Sequence, residues 1–155
     1  MFRILTKQII RSDDGAPYLV RRSLKTPLGD VKLHHILRSD DDRDLHDHPW
    51  SFLSIILWGG YWEHTPFRLP GGILPLDIRL RLNKDSAGRF NLRTWYGVGR
   101  VLWRPVPSTH RLELPPGRTA WTLVFTGPKR REWGFHTICG FIPWMKYTQA
   151  KEEGC

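Results

Sequence analysis

The chain has 155 residues, 40% of them hydrophobic and 12% aromatic, enough to bury one ordinary core and too apolar for a disordered chain. A formal charge of +9 points to an anionic partner, but the cations are mostly Arg and scattered, so a small anion is expected rather than nucleic acid. The two cysteines, Cys139 and Cys155, imply no disulfide framework; no apolar run reaches the ~18 residues of a membrane span, and Arg3 and Lys7 interrupt any signal-peptide core, so a cytoplasmic protein is expected.

Taken in chain order, the predicted elements are short strands. FRILTKQII, DVKLHHIL and SFLSIILW come first. PLDIRLRLN follows and alternates strictly, with Leu76, Ile78, Leu80 and Leu82 on one face and Asp77, Arg79 and Arg81 on the other. RFNLRTWY, GRVLWR, THRLEL and TAWTLVFTG complete the set. Glycine and proline punctuate them at Gly59-Gly60, Pro70-Gly71-Gly72, Pro105, Pro107 and Pro115-Pro116-Gly117. No long segment keeps a helical period of about 3.6 residues. The expected fold is all-β, an antiparallel barrel or sandwich in one domain over residues 1–147. Residues 148–155, polar except for Ala150 and Cys155, read as a frayed tail.

The segment RDLHDHPWSFLSIILWGG places His46 and His48 two residues apart. In extended chain, residues at that spacing share a face, their α-carbons about 6.6 Å apart. Both imidazoles can then reach one ion, with nitrogens about 2.0–2.1 Å away if the ion is zinc; the alternative is two polar residues in a loop. His110 falls on the apolar face of THRLEL, with Leu112 and Leu114. A buried imidazole needs a partner, either a metal or a buried carbonyl. Other clusters carry less. Asp40, Asp42 and Asp44 alternate as in a calcium loop, but Leu45 and Ser51 stand where that loop needs Gly and Glu, so a solvated turn is expected. His34 and His35 are adjacent, so at most one faces inward, and neither is expected to be a ligand. Lys129, Arg130 and Arg131 follow a Gly-Pro turn near Trp133, Phe135 and His136; they either clamp a carboxylate or phosphate or form a solvated basic turn.

These segments together resemble the two motifs of the cupin family. His46, His48 and Gly59 or Gly60 match the first motif, and Gly99, Pro105 and His110 the second, with Pro107 replacing its second glycine. The resemblance implies a jelly-roll barrel, a double-stranded β-helix, holding one divalent metal ion on His46, His48 and His110. The family's motif glutamate is missing, because its position holds Phe52 or Leu53. A replacement ligand could come from GGYWEH. If Gly59-Gly60 closes a hairpin, Trp58 pairs with Tyr61 and Ile55 with His64. Leu53, Ile55 and Leu57 facing inward would then bring His64 in; Phe52, Ser54 and Ile56 facing inward would bring Glu63 instead. Both faces are apolar, and His64 is the preferred candidate.

Neutral imidazoles with open positions suit Fe(II), and also Zn, Ni or Mn. The resemblance implies first a mononuclear non-haem Fe(II) dioxygenase acting on a small anionic substrate, with Trp50 and Trp62 walling its pocket. The alternatives are a non-catalytic module that binds a small anion, a nucleotide or a protein around a structural metal, and a metal-free sugar-nucleotide epimerase using a His base with Tyr61 or Tyr96. Small cupins also pair as homodimers through edge strands.

Overall fold

Alternation along the sequence becomes strand pairing throughout the structure, a computed structural model that describes residues 5–12, 14–40, 44–67, 82–85 and 88–155. Most of the predicted PLDIRLRLN strand lies outside the described residues; Leu82 and Asn83 fall in a short strand. The strands, in order, are β1 (Leu5–Arg11), β2 (Pro17–Thr26), β3 (Gly29–Ile36), β4 (Leu45–His46), β5 (Phe52–Trp58), β6 (Gly60–Pro66), β7 (Leu82–Lys84), β8 (Phe90–Gly97), β9 (Val101–Arg104), β10 (Arg111–Glu113), β11 (Ala120–Thr126), β12 (Gly134–Thr137) and β13 (Gly140–Pro143). All described pairings are antiparallel, in three sheets: β1-β2-β3-β11-β5-β9, β10-β6-β8-β7 and β13-β12-β4. This is the expected all-β jelly-roll barrel. Among the described residues no helix is long and apolar enough to cross a membrane.

The six-stranded sheet turns one side chain in two toward the interior. Leu19 pairs with Ile36, Arg21 with His34 and Ser23 with Lys32, while Thr122 pairs with both His34 and Ile56. The apolar core gathers Leu19, Ile36, Ile56, Tyr61, Leu102, Leu114 and Ala120 between this sheet and the second. Phe52, Ser54 and Ile56 are the buried series of β5, and Leu53 and Ile55 face outward.

Gly59 and Gly60 do not close a hairpin. β5 pairs with β11 and β9, whereas β6 pairs with β8 and β10, so the chain crosses here from one sheet to the other. The crossing needs glycine twice. Gly59 has φ +71° and a β-carbon on it would stand 2.2 Å from the Thr119 carbonyl oxygen; Gly60 has φ +153° and would stand 2.7 Å from the Tyr96 carbonyl oxygen.

The C-terminal segment is docked rather than frayed. A 3-10 turn (Trp144–Lys146) leads into helix α1 (Tyr147–Glu152), which buries Tyr147 and Ala150. The Tyr147 ring stacks on Phe135 with centroids 3.7 Å apart, and its hydroxyl donates to Asp44 Oδ2 at 3.0 Å. Cys139 and Cys155 form a disulfide that closes this segment onto the turn after β12. Asp44 is fully buried and Asp40 nearly so, which corrects the expectation of a solvated acidic turn.

Gly59→Ala should destabilise the protein by at least ~1–3 kcal/mol through backbone strain alone, with the carbonyl clash added. Gly99→Ala, at φ +83° with nothing within 4 Å, should show only the strain. Urea denaturation of the two variants gives the comparison.

Candidate metal centre

The two histidine segments meet through their backbones. His46 N–H donates to His110 O at 2.9 Å and His110 N–H donates to His46 O at 2.9 Å, so the two side chains leave the same face of a β-bridge. β4 is held on its other edge by β12, where Phe135 pairs with His46. Between the histidines, Asp47 points the opposite way and is fully buried. It accepts from Gly134 N–H at 2.9 Å and lies 3.1 Å from both Arg131 and His136 Nε2. This anchor fixes the loop and turns His48 back toward His46.

The three rings form a near-equilateral triangle, with centroids 5.1 Å (His46–His48), 4.9 Å (His46–His110) and 5.0 Å (His48–His110) apart. One nitrogen from each lies within 4.8 Å of the other two, and His48 Nε2 stands 2.8 Å from His110 Nε2. His110 Nδ1 lies 2.6 Å from Glu63 Oε1, and Glu63 is paired with Arg104, whose Nε donates to Oε1 at 3.1 Å and whose terminal nitrogen reaches Oε2. Burial works against an ionised Glu63, but the bonds from His110 and Arg104 prevail and hold its carboxyl at about 2. An ionised carboxylate only accepts, so His110 donates to it from Nδ1, and Nε2 is the nitrogen turned toward His46 and His48.

The donor set fits a metal ion. Burial pushes His46 down to about 4, and burial with His110, His46 and Arg21 nearby pushes His48 well below the usual imidazole range, so both are neutral ligands at pH 7. Two imidazole nitrogens each about 2.0–2.1 Å from one cation at right angles would stand about 2.9 Å apart. The 2.8 Å approach of His48 to His110 matches that separation.

The other candidates fall elsewhere. Glu63 faces inward from β6, independently of the register of β5, and sits behind His110 rather than beside the ring nitrogens that converge. His64, its neighbour on β6, faces the other way; its Nε2 lies 2.7 Å from Glu113 Oε2, and Glu113 pairs with Arg93. Trp50 lines the cavity beside the triad, but Trp62 lies on the far face under the Arg93 guanidinium, 4.1 Å from its ring centroid. None of Lys129, Arg130 and Arg131 lines the cavity. Lys129 pairs with Glu132, Arg130 is exposed and its N–H donates to Pro49 O at 2.7 Å, and Arg131 braces Asp47. The basic turn therefore supports the His46–His48 loop from outside.

The cavity itself measures about 340 Å³, at the small end of the ~300–1,000 Å³ of ligand pockets. Its cations are Arg11, Arg21 and Lys32, none of which the sequence reading singled out. PYLVRRSLKT carried the signal: Leu19, Arg21 and Ser23 alternate on one face. Two neighbouring arginines hid it, because Arg22 faces outward. His34 does face inward, where its Nε2 accepts from Arg21 Nε at 3.1 Å, and His35 stacks outside on Trp121.

No family model and no curated protein matches the chain. Solved structures do. The polyketide cyclase RemF from Streptomyces resistomycificus is 19% identical with a TM-score of 0.59, over 96% of this chain and 93% of that one. Rru_A2000 from Rhodospirillum rubrum, a cupin-2 domain, is 12% identical with a TM-score of 0.59, over 94% and 82%. Fe(II) HppE, the hydroxypropylphosphonic acid epoxidase of S. wedmorenis, is 12% identical with a TM-score of 0.53; the match covers 79% of this chain and only 59% of the epoxidase. At these identities the likeness is one of fold, and the fold is cupin-like.

The buried imidazoles give the metal-free protein a defined pH response. His34 and His46 are held at about 3 and 4 and His48 is lowered too, against about 6.5 in the unfolded chain. Between pH 6.5 and about 4 the unfolded chain binds protons that the folded one refuses. Stability should therefore fall as pH drops through that window and level off above it. Thermal denaturation in chelator from pH 7 to 4.5 measures this; a midpoint that does not move would show that these histidines are not buried as described.

Proposed function

We propose that the chain is a mononuclear metal-dependent enzyme of the non-haem Fe(II) dioxygenase type, acting on a small anionic substrate. The observation that carries this reading is the convergence of three imidazoles on one cavity, one of them oriented by a buried, ionised carboxylate. His46, His48 and His110 would hold one ion. Fe(II) is favoured by these donors and by the Fe(II) form of HppE, while Zn, Ni and Mn suit the same nitrogens. Bound there, iron would supply redox chemistry at coordination positions the protein leaves open.

The chain's own residues account for the rest. Phe52 occupies the position where the resembled motif has glutamate, with its ring 4.9 Å from His48 and 6.0 Å from His110. A fourth protein ligand is thus replaced by an apolar wall that keeps water from that side. Three neutral ligands leave the ion's charge uncompensated, which favours an anion beside it. Glu63 and Arg104 hold the ring of His110 in place, and Asp40 Oδ2 lies 3.8 Å from His46 Nδ1 and accepts from Leu112 N–H, while its Oδ1 accepts from the Tyr18 hydroxyl. Arg11, Arg21 and Lys32 give the cavity a positive potential that would draw in an anion.

Elemental analysis of protein made without a histidine tag tests the reading. About one iron per chain is expected, and no bound metal would favour the metal-free epimerase or a binding module that does without the ion. His46→Ala, His48→Ala and His110→Ala should each remove most of the metal, while His64→Ala and His136→Ala retain it. Glu63→Gln should keep the fold and weaken metal binding by ~10–100-fold in competition with a chelator, the usual effect of losing the group that orients a ligand.

A further inference from the structure

The wall of the cavity formed by β2 and β3 is built around two buried cations. Arg21 and Lys32 lie on neighbouring strands, each paired across the ladder with the residue beside the other: Arg21 with His34, Ser23 with Lys32. Both line the cavity that the three histidines line. Lys32 is 4% exposed, and burying an ammonium is costly without a counter-charge. The carboxylate it has, Asp30 Oδ2, is 3.6 Å away and partly exposed. Its Nζ instead lies 3.6 Å over the Trp50 ring. Burial, with Arg21 nearby, pushes Lys32 down to about 8.

Arg21 has even less compensation. Its Nε donates to the neutral His34, and among the described residues no carboxylate pairs with it. The two terminal nitrogens of its fork have no protein acceptor among those residues. Arg11, Arg21 and Lys32 against Asp40 and Asp30 sum to one positive charge, matched by one carboxylate and exceeded by a phosphate or phosphonate dianion. A planar fork also fits a carboxylate with two parallel hydrogen bonds. Leu19, Ile36, Phe52 and Val124 line the same cavity and offer apolar surface to the rest of a bound molecule.

We infer that Arg21 and Lys32 form a carboxylate anchor, and that the ligand is a small monocarboxylic acid whose apolar body lies against the cavity wall. This deepens the proposed function and rests on it only for the claim that the ligand reacts at the histidines; the anchor itself requires no metal.

Benzoate, benzyl alcohol and phenylphosphonate share a ring and differ in the head group, so calorimetric titration of each separates the cases. The titrations are run on the metal-loaded full chain and after metal is stripped with chelator. Benzoate should bind the stripped protein at least tenfold tighter than either of the others. Arg21→Gln should weaken benzoate at least tenfold, Arg21→Lys less, and Lys32→Met several-fold, with circular dichroism and metal content unchanged. Benzoate binding that needs the metal and is equally tight in Arg21→Gln would be coordination to the ion and would overturn the anchor. So would tighter binding of phenylphosphonate, or no benzoate binding to the stripped protein. A wild-type protein that binds benzoate but never metal would refute the proposed function and leave the anchor standing.

Discussion

The site depends on one buried charge. Glu63, 1% exposed, is tolerated inside the barrel only because Arg104 neutralises it from β9 and His110 donates to it from the start of β10. That arrangement ties β6 to the edge of the six-stranded sheet and fixes which nitrogen of His110 carries the proton. It also sets a direction: with Nδ1 committed outward, Nε2 is the nitrogen that faces His46 and His48. Removing Arg104 would leave the buried carboxylate with only the His110 ring to satisfy it, so the barrel and the candidate metal centre share a support.

A second anchor, Asp47, positions His46 and His48 through the backbone of their loop rather than through their rings. It is fully buried and lies within 3.1 Å of Arg131 and His136, while the Gly134 N–H satisfies its other oxygen. Asp47 lies on the side of this loop away from the cavity, while Arg21, Lys32 and Asp40 line the cavity itself. The separation of charge follows from alternation: His-Asp-His sends its carboxylate one way and its imidazoles the other.

Much of the barrel could be read from the sequence because strand alternation and Gly/Pro turns are local signals. That His46 and His48 share a face and that His110 points inward was legible for the same reason, but their meeting was implied only by the resemblance to the two cupin motifs. The register of β5 was not legible. Phe52, Ser54 and Ile56 compete with Leu53, Ile55 and Leu57, and the outer face of this sheet is itself apolar, so composition could not tell inside from outside. The Gly59-Gly60 pair looked like a hairpin turn, and only the packing against Thr119 and Tyr96 shows a crossing between sheets. Cations misled in both directions. The consecutive run at Lys129 to Arg131 braces a loop, whereas Arg21 and Lys32, isolated in strands, enter the cavity. Acid–base partners distant in sequence, such as Asp47 with Arg131 and Glu63 with Arg104, have no local signature.

X-ray absorption at the iron edge tests the central account most directly, using Fe(II)-loaded wild-type protein and the iron that the His110→Ala variant retains. Three imidazole scatterers in the wild type, falling to two in the variant, are what the triad predicts. A coordination sphere that is identical in the two proteins, or that contains no imidazole, would contradict it.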